Sequence, residues 1–125
     1  MLKIINTPKA PAAIGPYSQA VIYNNTLYLS GQIPIDPATG EITGNSVTEQ
    51  TERIIRNISE VLKESGSDFS KVIKTTCFLR DISRFGEFNN IYSKYFIGKP
   101  ARSCVEVSAL PKGALVEIEV IAGIF

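Results

Sequence analysis

Histidine is absent from all 125 residues, and this removes a large block of chemistry at once. Ser-His and Cys-His nucleophile pairs and His-ligated metals are excluded. Any general base must come from Asp, Glu, Tyr, Lys or Cys. The glycines are scattered singly, so there is no Gly-rich phosphate loop. Cysteine is scarce. Cys77 and Cys104 fall on separate predicted strands without metal-ligand spacing, and they read as reduced thiols of a cytoplasmic protein, not as a staple. An excess of one charge sign is also missing: 13 basic and 12 acidic residues give +1. That leaves no electrostatic footprint for nucleic acid or an anionic membrane. No apolar run approaches membrane-spanning length, and Met1 to Asn6 is too short an apolar run for a signal peptide. Linkers, repeats and low-complexity segments are lacking too. What remains is an ordinary globular composition, 44% hydrophobic and 20% charged. Its length fits one domain, residues 1–125, with one core.

Strand and helix signals alternate along that length. Ile4-Ile5 can begin a short edge strand. Pro8, Pro11 and Pro16 block helix from Thr7 to Pro16, which predicts an irregular surface run. Gln19 to Tyr23 and Thr26 to Ser30 are β-formers separated by Asn24-Asn25, a hairpin signal because Asn tolerates positive φ. Gly31 to Pro34 ends the second of these strands, and Asp36 to Gly40 is a turn cluster. Ser46-Val47-Thr48-Glu49 fits a capping box. Thr51, Ile54, Ile55, Ile58, Val61 and Leu62 then recur at helical spacing, up to a Gly66 C-cap. Lys71 to Arg80 reads as a strand with Ile73, Thr75, Cys77 and Leu79 on one face. Asp81 or Ser83 caps a second helix, whose Phe85, Phe88, Ile91, Tyr92, Tyr95 and Phe96 form an aromatic stripe suited to the core.

The most informative stretch follows. After the helix stop Gly98-Lys99-Pro100, residues Ala101 to Val107 alternate as a strand. Arg102, Cys104 and Glu106 point to one face; Ser103, Val105 and Val107 point to the other. An arginine fixed on a strand can receive a small carboxylate through two parallel charge-assisted hydrogen bonds. A second alternating strand, Val116 to Val120, places Glu117 and Glu119 on one face. The element order is β-β-β-α-β-α-β-β. Two amphipathic helices cannot cover both faces of such a sheet, so the expected architecture is an α+β two-layer sandwich with a mixed sheet and both helices on one face. The face expected to hold Arg102, Cys104, Glu106, Glu117 and Glu119 is then left over, either solvated or buried against other subunits.

Four blocks of the chain resemble the YjgF/RidA family, the reactive intermediate deaminases. They are Ala12 to Ala20 (AAIGPYSQA), Leu29 to Pro34 (LSGQIP), Val72 to Thr76 (VIKTT), and Pro100 to Val107 (PARSCVEV) followed by Val116-Glu117-Ile118. The resemblance covers almost the whole chain at the expected spacing. It implies a chorismate-mutase-like fold, a homotrimer with its sites between subunits, and hydrolysis of 2-imino acids such as 2-iminopropanoate and 2-iminobutanoate to 2-oxo acids and ammonia. No metal or cofactor is implied. By the same resemblance Arg102 binds the substrate carboxylate, Glu117 handles water, and Tyr17, Cys104, Ser30, Gly31 and Asn89 match the remaining pocket positions. The ending Ala122 to Phe125 departs from the charged ending expected of the family and touches none of these residues.

Each of these residues also has a plainer reading. Arg102 could pair with a glutamate as a surface ion pair. Glu117 could be a solvated strand residue, and Glu119 is its built-in control, since only the family spacing separates the two. Cys104 invites a nucleophile role, but without a histidine to activate it a pocket wall or a backbone N–H donor fits better. Cys77 reads as a buried strand thiol. Tyr17 could cap the core, and Ser30-Gly31 could be a plain turn. Two other functional classes remain beside the deaminase. One is a non-catalytic trimer that binds or senses 2-oxo acids. The other is an RNA-acting translation inhibitor, against which the charge balance argues.

Overall fold

The computed structural model describes all of residues 1–125. The hairpin at Asn24-Asn25 forms, with β2 (Ala20–Tyr23) and β3 (Thr26–Gln32) paired antiparallel and Asn24 at φ 56°. A short β1 (Lys3–Ile5) pairs onto the outer side of β2. Helix α1 (Val47–Glu64) begins where Ser46 Oγ accepts from the Glu49 amide at 3.1 Å. At its end Gly66 takes φ +78°, and the Gly66 and Ser67 amides return to the carbonyls of Lys63 and Leu62. That is a Schellman closure, which satisfies carbonyls the helix would otherwise leave open.

After α1 come β4 (Val72–Leu79), α2 (Phe85–Tyr95), β5 (Ala101–Glu106) and β6 (Val116–Gly123). The sheet order is β1-β2-β3-β6-β4-β5. β4 and β5 are parallel, joined by the α2 crossover, and every other pair is antiparallel. The sheet is therefore mixed, as expected. β6 enters between β3 and β4 and forms the centre of the sheet.

One face of this sheet is the core. Leu27 and Leu29 of β3, Ile118 and Val120 of β6, and Thr75, Cys77 and Leu79 of β4 are all buried. Against them pack Ile54, Ile58, Val61 and Leu62 of α1, and Phe88, Ile91 and Tyr92 of α2. Ile54 and Ile58 are fully buried, and each contributes about 1.5–3 kcal/mol by leaving water. The opposite face carries no helix and leaves Tyr28 and Glu119 exposed. No helix is long and apolar enough to cross a membrane.

Three local expectations change. Ile73 is exposed and not in the inward row, because the β4–β6 register shifts between Val72 and Lys74 and restores Val72 to the core side. Strand β3 does not end at Ser30. It continues to Gln32 through a bulge, with Leu29 opposite Val120 and Gln32 opposite Ile118. Asp81 caps a 3₁₀ turn, Ile82–Arg84, and α2 continues directly from it.

Candidate functional site

The bulge in β3 creates the first part of the site. An extra residue in one strand re-aims its neighbours, and such features gather beside functional sites. Here it brings Ser30 and Gly31 alongside Glu117 of β6. A Cβ on Gly31 would overlap the Glu117 carboxylate at Oε2, so glycine is what lets that carboxylate lie against the backbone. Ser30 is tied in by its hydroxyl, which donates to the Ser18 carbonyl at 2.6 Å. Ser30, Gly31, Glu117 and Tyr17 line one cavity of about 420 Å³, with Gln19, Gln32 and Pro111 completing its wall.

Tyr17 is 55% exposed, which disposes of the core-cap reading. It stands on the proline-rich N-terminal run, and Gln19 anchors that run. The Gln19 side chain accepts from the Thr7 amide at 2.7 Å and donates to the carbonyls of Thr7 and Pro11 at 3.0 and 2.8 Å. Gln19 is buried and its role escaped sequence reasoning. The available signal was a long amide side chain at the junction between a segment without its own backbone ladder and the first long hairpin, where loose backbone groups need partners.

Burial pushes the Glu117 carboxyl above its ordinary value, and the Glu119 charge pushes it further the same way. A carboxylate raised in this manner is closer to the range where it both accepts and returns a proton at neutral pH. Glu119, two residues on, is exposed and borders no part of the cavity.

Arg102 forms the second part, and it is elsewhere. Register partners in adjacent strands share a face. Arg102 is opposite Thr75, Cys104 opposite Cys77, and Glu106 opposite Leu79; all three partners are buried on the helix side. Glu117 is opposite Phe78 and Glu119 opposite Thr76, on the bare side. The single functional face expected from the sequence is therefore corrected to two. Arg102, Cys104 and Glu106 look toward the helices from an edge strand that reaches past them, while Glu117 and Glu119 look the other way. Alternation fixes sides within one strand only, and the relation between strands depends on pairing.

On the helix side Arg102 Nη1 donates to Asn89 Oδ1 of α2 at 2.7 Å. Neither Glu106 nor any other acid pairs with it: Glu106 instead accepts from the Ile82 amide at 2.9 Å. Arg102 and Asn89 border an open cavity of about 490 Å³ with Tyr92, Phe96 and Ile97. Cys104 is half-buried and free. Burial raises its thiol above the ordinary value against a smaller opposing pull from Arg102. Burial pushes the Cys77 thiol up to about 12. Neither is poised as a thiolate nucleophile.

Two expectations follow from this geometry. Gly31→Ala should keep the fold, since the far end of the Glu117 side chain can swing away, but it displaces the carboxylate from the cavity. A misplacement of that size costs about 10²-fold in turnover, checked by kinetics beside a thermal melt; an unchanged kcat would separate Glu117 from the chemistry. Cys104→Ala should retain most activity, and intact-mass spectrometry during turnover should find no substrate adduct on Cys104.

A mixed sheet thus carries a half-buried carboxylate in one cavity and, beside the other, an arginine with no acidic partner. Comparison with known proteins gives the family. The model of the Endoribonuclease L-PSP family, which is the YjgF/RidA family, matches residues 7–124, and the chain belongs to it. It is 60% identical over 122 residues to AldR of Lactococcus lactis, a protein to which a regulator's role is ascribed, with 97% of each chain covered. It is 51% identical over 121 residues to the 2-iminobutanoate/2-iminopropanoate deaminase of Rattus norvegicus, covering 96% of this chain and 88% of the other. The solved structure of YyfA from Yersinia pestis, of the conserved Rid family, superposes with a TM-score of 0.96, at 54% identity, covering 98% of this chain and 99% of that one.

Proposed function

We propose that the protein hydrolyses 2-imino acids, 2-iminopropanoate and 2-iminobutanoate among them, to 2-oxo acids and ammonia. Its relatives at about 50% identity include deaminases of that name. The observation that carries the reading is Glu117, a carboxylate with raised proton affinity lodged against Gly31 in a cavity shared with Tyr17 and Ser30.

The chemistry needs little apparatus. Arg102 holds the substrate carboxylate through the fork of its guanidinium, helped by Asn89, and so fixes the imine carbon in place. Glu117 orients a water and accepts its proton as the oxygen adds to the C=N bond. The product of that addition is a tetrahedral carbinolamine. The substrate reacts as its iminium, so the addition leaves a neutral amine. Glu117 returns the proton to that nitrogen, then takes the hydroxyl proton as the C–N bond breaks and the C=O bond forms, and ammonia leaves. Tyr17 and Ser30 border the reacting atoms, and the Cys104 amide and thiol wall the carboxylate end. No step draws on a metal or cofactor.

Arg102 and Glu117 sit on opposite faces of one sheet, so one chain does not bring them to one substrate. The reading therefore includes a homotrimer in which one subunit's Arg102, Asn89 and Cys104 meet a neighbour's Glu117, Tyr17, Ser30 and Gly31. The bare sheet face and the free edge of β5 are the surfaces available for such contacts. Light scattering at micromolar concentration checks this directly: a monomeric mass is incompatible with it.

The likeness to AldR favours a second reading, a trimer that binds 2-oxo acids and regulates without turnover. Ammonia release from an imino acid generated in place by a serine or threonine dehydratase decides between them. Turnover above the spontaneous rate supports the deaminase; tight 2-oxo acid binding with no acceleration supports the regulator. The family's ribonuclease description motivates an RNA-cleavage arm in the same assay, for which a net charge of +1 provides no phosphate-holding stripe.

A further inference from the structure

The aromatic stripe of α2 does more than fill the core. Phe85, Asn89 and Tyr92 stand at positions i, i+4 and i+7, which one helical face presents together. The Arg102 guanidinium carbon lies 5.2 Å from the Phe85 ring centre and 4.7 Å from that of Tyr92, within the range where a cation is drawn to a ring face. Asn89 Oδ1 takes a hydrogen bond from Nη1 between these two contacts. Tyr92 is itself immobilised: its hydroxyl meets Thr75 Oγ1 at 2.7 Å, and its ring stacks on Phe96 at 4.2 Å. Thr75 is the register partner of Arg102 on β4, so the ring is locked above the strand pair that carries the arginine.

We infer that Phe85 and Tyr92 are positioning residues that hold the Arg102 guanidinium in its carboxylate-receiving orientation before any ligand arrives. The inference rests on the reading of Arg102 as the carboxylate receptor. A long side chain on an exposed edge strand would otherwise sample many rotamers, and binding would have to order it. Here both rings lie within cation–π distance of the guanidinium and Asn89 takes one Nη1 hydrogen. The Nε–Nη2 edge keeps both donors free for a carboxylate. The same stripe thus does two jobs: Phe88, Ile91 and Phe96 pack the core, and Phe85 and Tyr92 build a platform at its margin.

The test is calorimetric titration of the full chain with 2-oxobutanoate, alongside steady-state kinetics and NMR of the Arg102 side chain. Phe85→Leu and Tyr92→Leu should each weaken 2-oxobutanoate on the order of tenfold, the scale of one lost cation–π contact in a partly desolvated site. KM should rise with them while kcat moves far less. The Arg102 Hδ and Hε signals, shifted by the two ring currents, should return toward ordinary arginine positions. Tyr92→Phe keeps the ring and should bind nearly as wild type. If Tyr92→Leu does not fold, Phe85→Leu carries the test, since its ring is only half-buried. If Arg102→Lys loses binding while both Leu variants bind as wild type, the platform is structural and the inference falls, with the receptor reading intact. Tyr92→Phe failing as badly as Tyr92→Leu would assign the effect to the Thr75 hydrogen bond and likewise overturn it. If Arg102→Lys itself binds 2-oxobutanoate like wild type, the receptor reading fails and takes this inference with it.

Discussion

Glu117→Gln is expected to slow imino-acid hydrolysis by about 10²–10⁴-fold, the span that a positioned proton-transfer group contributes. The amide nearly matches the carboxylate in shape but cannot take a proton from the attacking water. Binding of an unreactive 2-oxo acid should stay close to wild type, because Arg102 is untouched, so the loss should appear in kcat. Glu119→Gln is the matched control: same strand, same face, two residues on, exposed and outside the cavity. Equal losses in both variants would mean that the charge of the face matters and the particular residue does not. Glu119→Gln will have one smaller effect. The Glu119 charge helps raise the Glu117 carboxyl, so removing it should shift the acid limb of the rate profile to lower pH. The sign follows from the proton balance. Glu117 works as a base only when ionised, its proton affinity is raised in the folded protein, and activity is therefore lost on acidification at a higher pH than an ordinary glutamate would give. In Glu117→Gln that limb should vanish.

The second large effect is Arg102→Lys. The charge survives, but an ammonium cannot reproduce the paired hydrogen bonds of the guanidinium fork or its contacts with two rings. Loss of one charge-assisted hydrogen bond, about 1.5–3 kcal/mol, corresponds to roughly ten- to 150-fold in kcat/KM. Near-normal kinetics would show that the carboxylate is held elsewhere. The two variants also test the shared site when combined. Equal amounts of Arg102→Lys and Glu117→Gln chains, co-refolded at random into trimers with one Arg and one Glu from different subunits per site, leave about a quarter of the sites intact. Activity recovering toward about a quarter of wild type is expected. A mixture no more active than its two components would place both residues of each site in one chain.

Much of this molecule is determined by its residues read in order. Ser46 and Gly66 delimit α1 through local hydrogen bonds within a few residues of each, and those contacts depend on nothing distant. The Asn24 turn, the strand alternation and the element order are local in the same sense, as is the exclusion of His-based chemistry. The chemically equipped residues of the motifs, Arg102 and Glu117 above all, were also visible from their neighbours along the chain. Pairing decided the rest. Whether Arg102 and Glu117 share a face depends on which strands lie side by side and in what register, and a shift of one residue reverses the answer. The parallel β4–β5 pairing turned Arg102 toward α2, and the antiparallel β4–β6 pairing turned Glu117 away from it. The bulge that seats Glu117 against Gly31 and the register shift that exposes Ile73 are features of how β6 pairs with β3 and β4, which no single strand encodes. The same holds for the rings beneath Arg102. Helical spacing placed Phe85 and Tyr92 on one face of α2, but only the crossover from β4 to β5 laid that face over the arginine.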